Sequence, residues 1–153
     1  MSHKYTVFHL DDGKELRGGE RQALRLAKEL KRLGHRNIMV CRRDSPVQQE
    51  ASAAGIEILN LPYLFEWDPV SAFILRGKAD SLPEGSEIVF HAHTGHTPAA
   101  ALQAALGLKC LRIAHRRVNF RTPKASVVMP AIQSLLADNI SSTPASGPFF
   151  PEG

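Results

Sequence analysis

The sequence of 153 residues has no long hydrophobic run. No stretch approaches the ~20 apolar residues that cross a bilayer, which excludes a membrane-spanning helix. The N-terminus lacks a basic region followed by a long apolar segment, so we expect no signal peptide. Only two cysteines occur, Cys41 and Cys110, and they lie too far apart for paired metal ligands. They are expected to be buried free thiols in a reducing compartment.

Two common nucleotide-binding motifs are also missing. The sequence contains no Gly-Lys-Ser/Thr, which excludes a P-loop. Its paired glycines lie in residues 17–21, Arg-Gly-Gly-Glu-Arg, which do not match Gly-x-Gly-x-x-Gly. Asn60 and Pro62 stand where an acidic ribose ligand would follow a strand, so a dinucleotide-dependent oxidoreductase is poorly supported. A net charge of +4 is compatible with phosphate-bearing ligands or an anionic membrane surface but does not indicate nucleic acid.

Short apolar runs alternate with amphipathic stretches along most of the chain. Strands are predicted near residues 4–10, 37–41, 56–61, 88–90, 109–114 and 125–129, with helices near 20–33, 46–54, 70–82, 98–107 and 131–138. This order with short links predicts an α/β, Rossmann-like fold: a parallel sheet between two helical layers, with right-handed crossovers. We assign residues 1–140 to this domain and residues 141–153, rich in Ser, Pro, Gly and Phe, to a linker or frayed end.

Three polar loops follow predicted strands, at residues 11–19, 91–97 and 115–121. Ligands of open parallel sheets bind beyond the carboxyl ends of the strands, so these loops are expected to form one site. Gly18 and Gly19 precede a helix whose first amides and positive dipole end favour an anion. The same glycines are equally consistent with a tight turn alone.

Histidines are concentrated in the second loop. His91 and His93 lie on the same face of an extended chain, as two metal ligands would. No Cys, Asp or Glu lies nearby in sequence to complete a metal site. A polar contact with a substrate hydroxyl is therefore favoured over a metal, and a structural role also fits His91.

The third loop begins with His115 at a strand end, followed by Arg116 and Arg117. An imidazole there can hydrogen-bond to a sugar or phosphate. Guanidinium groups suit phosphate and carboxylate, although a solvated basic edge paired with carboxylates is an equal alternative.

Glu66 and Asp68 flank Trp67 and could act as an acid/base pair. Because Asp68 precedes Pro69, a helix N-cap is the favoured role for Asp68, while that of Glu66 stays open.

Together these loops resemble the N-terminal domain of family 4 glycosyltransferases, which are retaining, nucleotide-sugar-dependent enzymes of the B-type (GT-B) fold. The residues that carry the resemblance are 9–12 (His-Leu-Asp-Asp), 17–22 (Arg-Gly-Gly-Glu-Arg-Gln), 33–35 (Leu-Gly-His), 55–56 (Gly-Ile), 66–69 (Glu-Trp-Asp-Pro), 91–96 (His-Ala-His-Thr-Gly-His) and 115–118 (His-Arg-Arg-Val). The resemblance covers about residues 4–140, and its specificity comes from the order and spacing of these motifs.

The resemblance implies a hexosyltransferase that moves a sugar from a nucleotide-diphosphate sugar to a glycan or lipid-linked acceptor. It points to bacterial surface polysaccharide or lipopolysaccharide synthesis in the cytoplasm, with peripheral contact at the inner face of the membrane as an option. Gly18 and Gly19 match the loop that approaches the donor diphosphate and the acceptor. His115 matches the histidine near the transferring sugar and is the catalytic candidate. The family usually needs neither a metal nor another cofactor.

The expected acceptor contacts rest on position alone. They are Asp12, His93 and Arg117, since the acceptor of such enzymes usually lies against the N-terminal domain.

The sequence also departs from the family pattern. It lacks the second, nucleotide-binding domain with its Glu-x7-Glu motif and basic pair, and Asn119 stands where aspartate is expected. We therefore expect half an enzyme, inactive alone because nothing stabilises the leaving diphosphate. Its expected partners are the donor, the acceptor and the missing domain, not nucleic acid. The alternative is a non-catalytic module of the same fold that binds a glycan or a phosphorylated ligand.

Overall fold

A computed structural model describes residues 4–115, in which strands and helices alternate strictly. In chain order the elements are β1 (Tyr5–Leu10), α1 (Gly18–Arg32), β2 (Arg36–Cys41), α2 (Pro46–Ala53), β3 (Glu57–Asn60), α3 (Pro69–Asp80), β4 (Glu87–Ala92), α4 (Thr97–Ala104) and β5 (Cys110–Ala114). Each element predicted for this part of the chain is confirmed, with ends that differ by a few residues. The strand and helix predicted at 125–129 and 131–138, and the proposed domain boundary at 140, lie outside the described residues.

All five described strands form one parallel sheet in the order β3-β2-β1-β4-β5. This confirms the predicted α/β class with a parallel sheet. Strand β1 lies between β2 and β4, and its His9 is in register with Met39 on one side and His91 on the other. Because the strands are parallel, the loops that follow them leave from a common edge, which we call the carboxyl edge.

Helices pack on both faces of the sheet. Phe8 and Phe90, with ring centroids 5.2 Å apart, pack on the α3 and α4 side, where fully burying each ring contributes about 1.5–3 kcal/mol. Met39 and Cys41 of β2 pack on the other side, against α1 and α2. Successive strand residues point to opposite faces, so His9 lies on the α1 face of β1, opposite to Phe8.

Two predicted helix starts are confirmed by their caps. Asp68 accepts a hydrogen bond from the amide of Val70 at 3.0 Å, ahead of Pro69 in the first turn of α3. Ser45 accepts from the amide of Gln48 at 3.2 Å at the start of α2. The predicted N-cap role of Asp68 is therefore correct, and Glu66 is exposed.

Both cysteines are free, as predicted, although Cys110 is only partly buried. Burial raises the pKa of the Cys41 thiol to about 11, and the nearby charge of Asp11 adds to this effect against an opposing hydrogen bond with Ser45. Cys41 is therefore a protonated, inert core thiol at neutral pH. Within residues 4–115, no helix is long and apolar enough to cross a membrane.

Candidate functional site at the carboxyl edge

The loops at the carboxyl edge begin side by side because the sheet ladder continues past the strand ends. The amide of Asp11 donates to the carbonyl of Val40 at 2.9 Å, and the amide of His93 donates to Leu10 O at 2.9 Å. One strand further along, the amide of His115 donates to Ala92 O at 2.9 Å. The backbone therefore sets the spacing of these three loops before any side chain contributes.

Asp12 connects the loop after β1 to the loop after β4 by a hydrogen bond. The Thr94 hydroxyl donates a hydrogen bond to the Asp12 carboxylate. Thr94 is in turn bonded to Thr97 in the first turn of α4, where its amide donates to Thr97 Oγ1 at 3.3 Å. The half-buried carboxylate of Asp12 is therefore held at the β4 loop, although 82 residues separate it from Thr94.

Arg42, directly after β2, links further loops at this edge and was not predicted as a site residue. Its guanidinium donates to Asp12 O at 3.1 Å, to Pro62 O at 2.9 Å and to Tyr63 O at 2.8 Å. It also lies over the Tyr63 ring, 5.6 Å from the centroid. The available signal was its position as the first charged residue after a buried strand, at the edge where the other polar loops begin.

Gly18 and Gly19 are the first residues of α1 and are helical rather than turn residues. Apart from the neighbouring residues and the backbone of its own helix, no described atom would lie within 4 Å of a Cβ placed on Gly18, so this position is open. Glu20 reaches back and accepts a hydrogen bond from the amide of Arg17 at 3.0 Å, which places a carboxylate at the positive end of α1. An incoming anion therefore has open space over Gly18 but competes with Glu20 nearby.

Gly13, which was not predicted as a site residue, has two carboxylate side chains close to its Cα. A Cβ there would lie 2.8 Å from both Asp11 Oδ1 and Glu20 Oε1. The amide of Gly13 donates to Asp11 Oδ1 at 2.8 Å. The loop after β1 is therefore folded tightly against the first turn of α1.

Four histidines come together on the α1 face of the sheet near this edge. We call His9, His91, His93 and His115 the histidine cluster. The rings of His91 and His93 have centroids 4.0 Å apart, which confirms that they share a face. His9 Nδ1 lies 3.0 Å from His93 Nε2, and His91 Nε2 lies 3.1 Å from His115 Nδ1. His9, His91 and His93 are buried, whereas His115 is exposed.

Asn37 fixes the proton arrangement of His9. Its Nδ2 donates to His35 O at 2.9 Å, so its Oδ1 faces His9 Nε2, at 2.9 Å. An amide oxygen only accepts, so His9 Nε2 carries the proton and Nδ1 presents its lone pair to His93. Burial lowers the pKa of His9, and the hydrogen bond with Asn37 opposes this only in part. His9 is accordingly a neutral imidazole with a defined tautomer.

The structure thus brings together three of the predicted site residues, Asp12, His93 and His115, at one edge of the sheet. The His93 and His115 rings are 6.3 Å apart. Gly18 and Gly19 begin the helix that follows the loop from the same edge, while Arg117 lies outside the described residues. His9 was missed as a site residue because its run reads as a buried strand. Its register with His91 required the strand order.

The fold is that of a glycosyltransferase domain. The structure is similar to that of a glycosyltransferase from Rickettsia africae ESF-5, with a TM-score of 0.64 and 17% sequence identity. The similarity covers 80% of this chain and 32% of the other, so this chain spans about a third of that protein's length. A search of curated proteins finds no match.

The amino-acid sequence identifies the family of the chain. The family model of Glycosyltransferase Family 4 matches residues 16–140, which is most of the chain. The chain therefore belongs to glycosyltransferase family 4.

Proposed function

We propose that this chain is the acceptor-side, N-terminal domain of a retaining hexosyltransferase of the B-type fold. It takes part in moving a sugar from a nucleotide-diphosphate sugar to a glycan or lipid-linked acceptor. The proposed setting is bacterial surface polysaccharide or lipopolysaccharide synthesis at the cytoplasmic face of the membrane. The observation that supports this most is a pair of hydrogen bonds at the carboxyl edge: Asp12–Thr94 joins the loops after β1 and β4, and His91–His115 joins the end of β4 to the residue after β5.

The proposed donor contact lies at the start of α1. Because Glu20 already accepts from the Arg17 amide, the donor diphosphate approaches over Gly18, where an added Cβ would meet no described atom outside its own helix within 4 Å. Glycine permits this approach since it carries no side chain. Gly19 continues the same helical turn.

His115 is the proposed catalytic residue, placed against the transferring sugar. It is exposed, and its ring is oriented by the hydrogen bond to buried His91 and by its backbone bond to Ala92. A ring held in this way can donate to or accept from a sugar hydroxyl without first being ordered.

Asp12, His93 and Arg117 are the proposed acceptor-side residues. Asp12 is half-buried and offers a carboxylate to an acceptor hydroxyl. His93 is only 3% exposed, which favours an indirect role in orienting the loop.

In this proposal a second, nucleotide-binding domain stabilises the leaving diphosphate, and that electrostatic contribution is a large part of catalysis. The isolated chain is therefore expected to transfer little or no sugar. Transfer at rates typical of complete enzymes by this chain alone would contradict this part of the proposal.

The test is to express the chain in its natural coding context and screen nucleotide sugars for hydrolysis and transfer. His115→Ala is expected to lower kcat by about 100-fold or more, within the range for loss of a positioned polar group at the reacting centre. His35→Gln, a histidine at the amino end of β2, is the matched control and leaves turnover unchanged. Saturable glycan or phosphate binding without any turnover would favour the non-catalytic module. If the chain shows neither ligand binding nor turnover, both the transferase proposal and the non-catalytic alternative are refuted.

A further inference from the structure

The proposed sugar transfer gives His91 and His93 only orienting roles and gives His9 none. His9, His91 and His93 are 0%, 5% and 3% exposed, and one ring nitrogen from each lies within 4.8 Å of the others. We propose that these three histidines form a binding site for a late first-row divalent metal ion, Zn²⁺ in the first instance. The site is independent of whether the chain transfers sugar.

The geometry is near that of a trigonal face of a zinc site. Zinc binds imidazole nitrogen at about 2.0–2.1 Å, so two ligands of a tetrahedral ion lie roughly 3.4 Å apart. His9 Nδ1 and His93 Nε2 are 3.0 Å apart, and the largest separation in the group is within 4.8 Å. Metal binding requires side-chain rotations that open the His9–His93 nitrogen pair slightly and bring the widest separation down to roughly 3.4 Å, with no change in the strand register. It also requires the ring proton of His93 to move from Nε2 to Nδ1, so that Nε2 offers its lone pair.

The surroundings of His9 match those of a metal ligand. Metal-bound histidines usually donate their other ring N–H to a carboxylate or carbonyl, which fixes the tautomer and orientation. His9 Nε2 donates to Asn37 Oδ1 at 2.9 Å, and Asn37 is itself held by His35 O. This leaves His9 Nδ1, the atom that faces His93, as the ligating nitrogen.

The chemistry of the donors selects the class of metal. The three rings are imidazoles on a buried sheet face, and imidazole suits zinc, copper, nickel and cobalt, whereas magnesium and calcium require oxygen ligands. His115 Nδ1, 3.1 Å from His91 Nε2, stands where it can supply a fourth ligand.

The competing explanation is that the histidines satisfy one another through the His9–His93 and His91–His115 hydrogen bonds, without an ion. Both explanations account for burial of polar rings. They differ in whether the cluster takes up one equivalent of metal.

The test measures Zn²⁺ binding to the full chain, which is first dialysed against a chelator to remove metal. Binding is measured by competition with a chromophoric chelator, and no nucleotide sugar is present. We expect one equivalent to bind with micromolar or tighter affinity. His91→Gln and His93→Gln are each expected to weaken binding at least 100-fold. Asn37→Leu, which removes the acceptor of the His9 N–H, is expected to weaken it about 10- to 100-fold. The controls His35→Gln and His96→Gln, outside the cluster, leave affinity unchanged.

Because the cluster residues are buried, a variant that fails to fold is uninformative by itself, so the wild-type chain supplies a second measurement. Zn²⁺ is expected to shift the ring ¹⁵N resonances of His9, His91 and His93, but not those of His35 and His96. Ring signals of the cluster that stay in place at millimolar Zn²⁺ would overturn the proposal, as would binding that the control variants weaken as much as the cluster variants. Since no sugar nucleotide is present, neither result depends on the transferase proposal.

Discussion

His9 and His93 are hydrogen-bonded through Nδ1 and Nε2 at 3.0 Å, with ring planes inclined by 19°, although they lie 84 residues apart in the chain. The contact is possible because β1 and β4 are neighbouring strands in register. Asn37, on the other side of His9, decides which ring nitrogen carries the proton. One buried amide thus sets the proton positions across the His9–His93 pair.

The metal-free chain is therefore expected to hold His9 as the Nε2–H tautomer and to carry a proton on His93 Nε2. His9 Nε2 donates to Asn37 Oδ1, and His93 Nε2 must donate to the lone pair on His9 Nδ1. Long-range ¹H–¹⁵N correlation spectra report the tautomer of each ring directly. An Nδ1–H tautomer for His9 would show that the orientation of Asn37 is reversed. Exposed His96 serves as the reference ring.

Gly18→Ala separates a role in ligand approach from a role in folding. The added Cβ meets no described atom outside its own helix within 4 Å, so the variant should be as stable as the wild type or more stable by up to about 1 kcal/mol. In the transferase proposal the methyl group obstructs the donor diphosphate and lowers kcat/KM by about 10- to 100-fold. Chemical denaturation and donor kinetics in the natural coding context measure the two effects.

The matched control for this variant is Gly77→Ala in α3. Gly77 is also a helical glycine with open space around an added Cβ, and the substitution should stabilise the helix by about 1 kcal/mol. Kinetics should be unchanged by it. Equal kinetic losses in both variants would argue that Gly18 acts through general stability rather than through the ligand.

Asp68 is expected to make the fold sensitive to acid. Burial opposes its ionisation, but hydrogen bonds from Ser71 and from the amides of Leu64 and Val70 outweigh burial and lower its pKa below the ordinary 3.8. A lowered pKa in the folded state means that the stabilisation is fully present above pH 3.8 and is lost as the pH falls through the folded-state pKa. Urea unfolding at pH 7 and at successively lower pH measures this loss.

The control for that prediction is Asp68→Asn, which cannot ionise. This variant should have a lower free energy of unfolding than the wild type at pH 7. The difference in free energy between the two proteins should become smaller as the pH falls. A gap between the two proteins that does not change between pH 7 and pH 3 would contradict the assignment of the acid sensitivity to Asp68.

Arg42→Lys should destabilise the carboxyl edge. A lysine ammonium is a compact charge on a flexible stem and cannot reproduce the planar donors that contact the carbonyls of Asp12, Pro62 and Tyr63. We expect the free energy of unfolding to fall by about 1–2 kcal/mol, as for the loss of hydrogen bonds from a charged donor that is partly exposed. The exposed neighbour Arg43→Lys should change it by less than about 0.5 kcal/mol. Similar losses at both positions would show that the three carbonyl contacts do not stabilise the edge.

The order of elements could be predicted from sequence because each one carries local signals. Ser45 and Asp68 precede prolines, and Gly34, which adopts a positive φ of 89°, directly follows the end of α1. The strand order β3-β2-β1-β4-β5 has no such local signal, because it depends on where each crossover returns to the sheet.

The same distinction between local signals and long-range contacts applies to the candidate site. His93, His115 and Asp12 follow strands and were expected at one edge. His9, Asn37 and Arg42 were not found, because each gains its role from a partner that is distant in sequence. The third buried imidazole, that of His9, was likewise not found beside His91, because only the pairing of β1 with β4 brings these two residues together.

The central position of β1 determines how the histidine cluster responds to whatever it binds. All six of its residues are in register with β4, and five are in register with β2. A strand that is paired on both sides cannot shift or tilt when a ligand binds, so the backbone that carries His9 and His91 is preorganised. Little conformational entropy of the backbone is then lost on binding. Because only the side-chain torsions can adjust, the cluster discriminates among ligands by size.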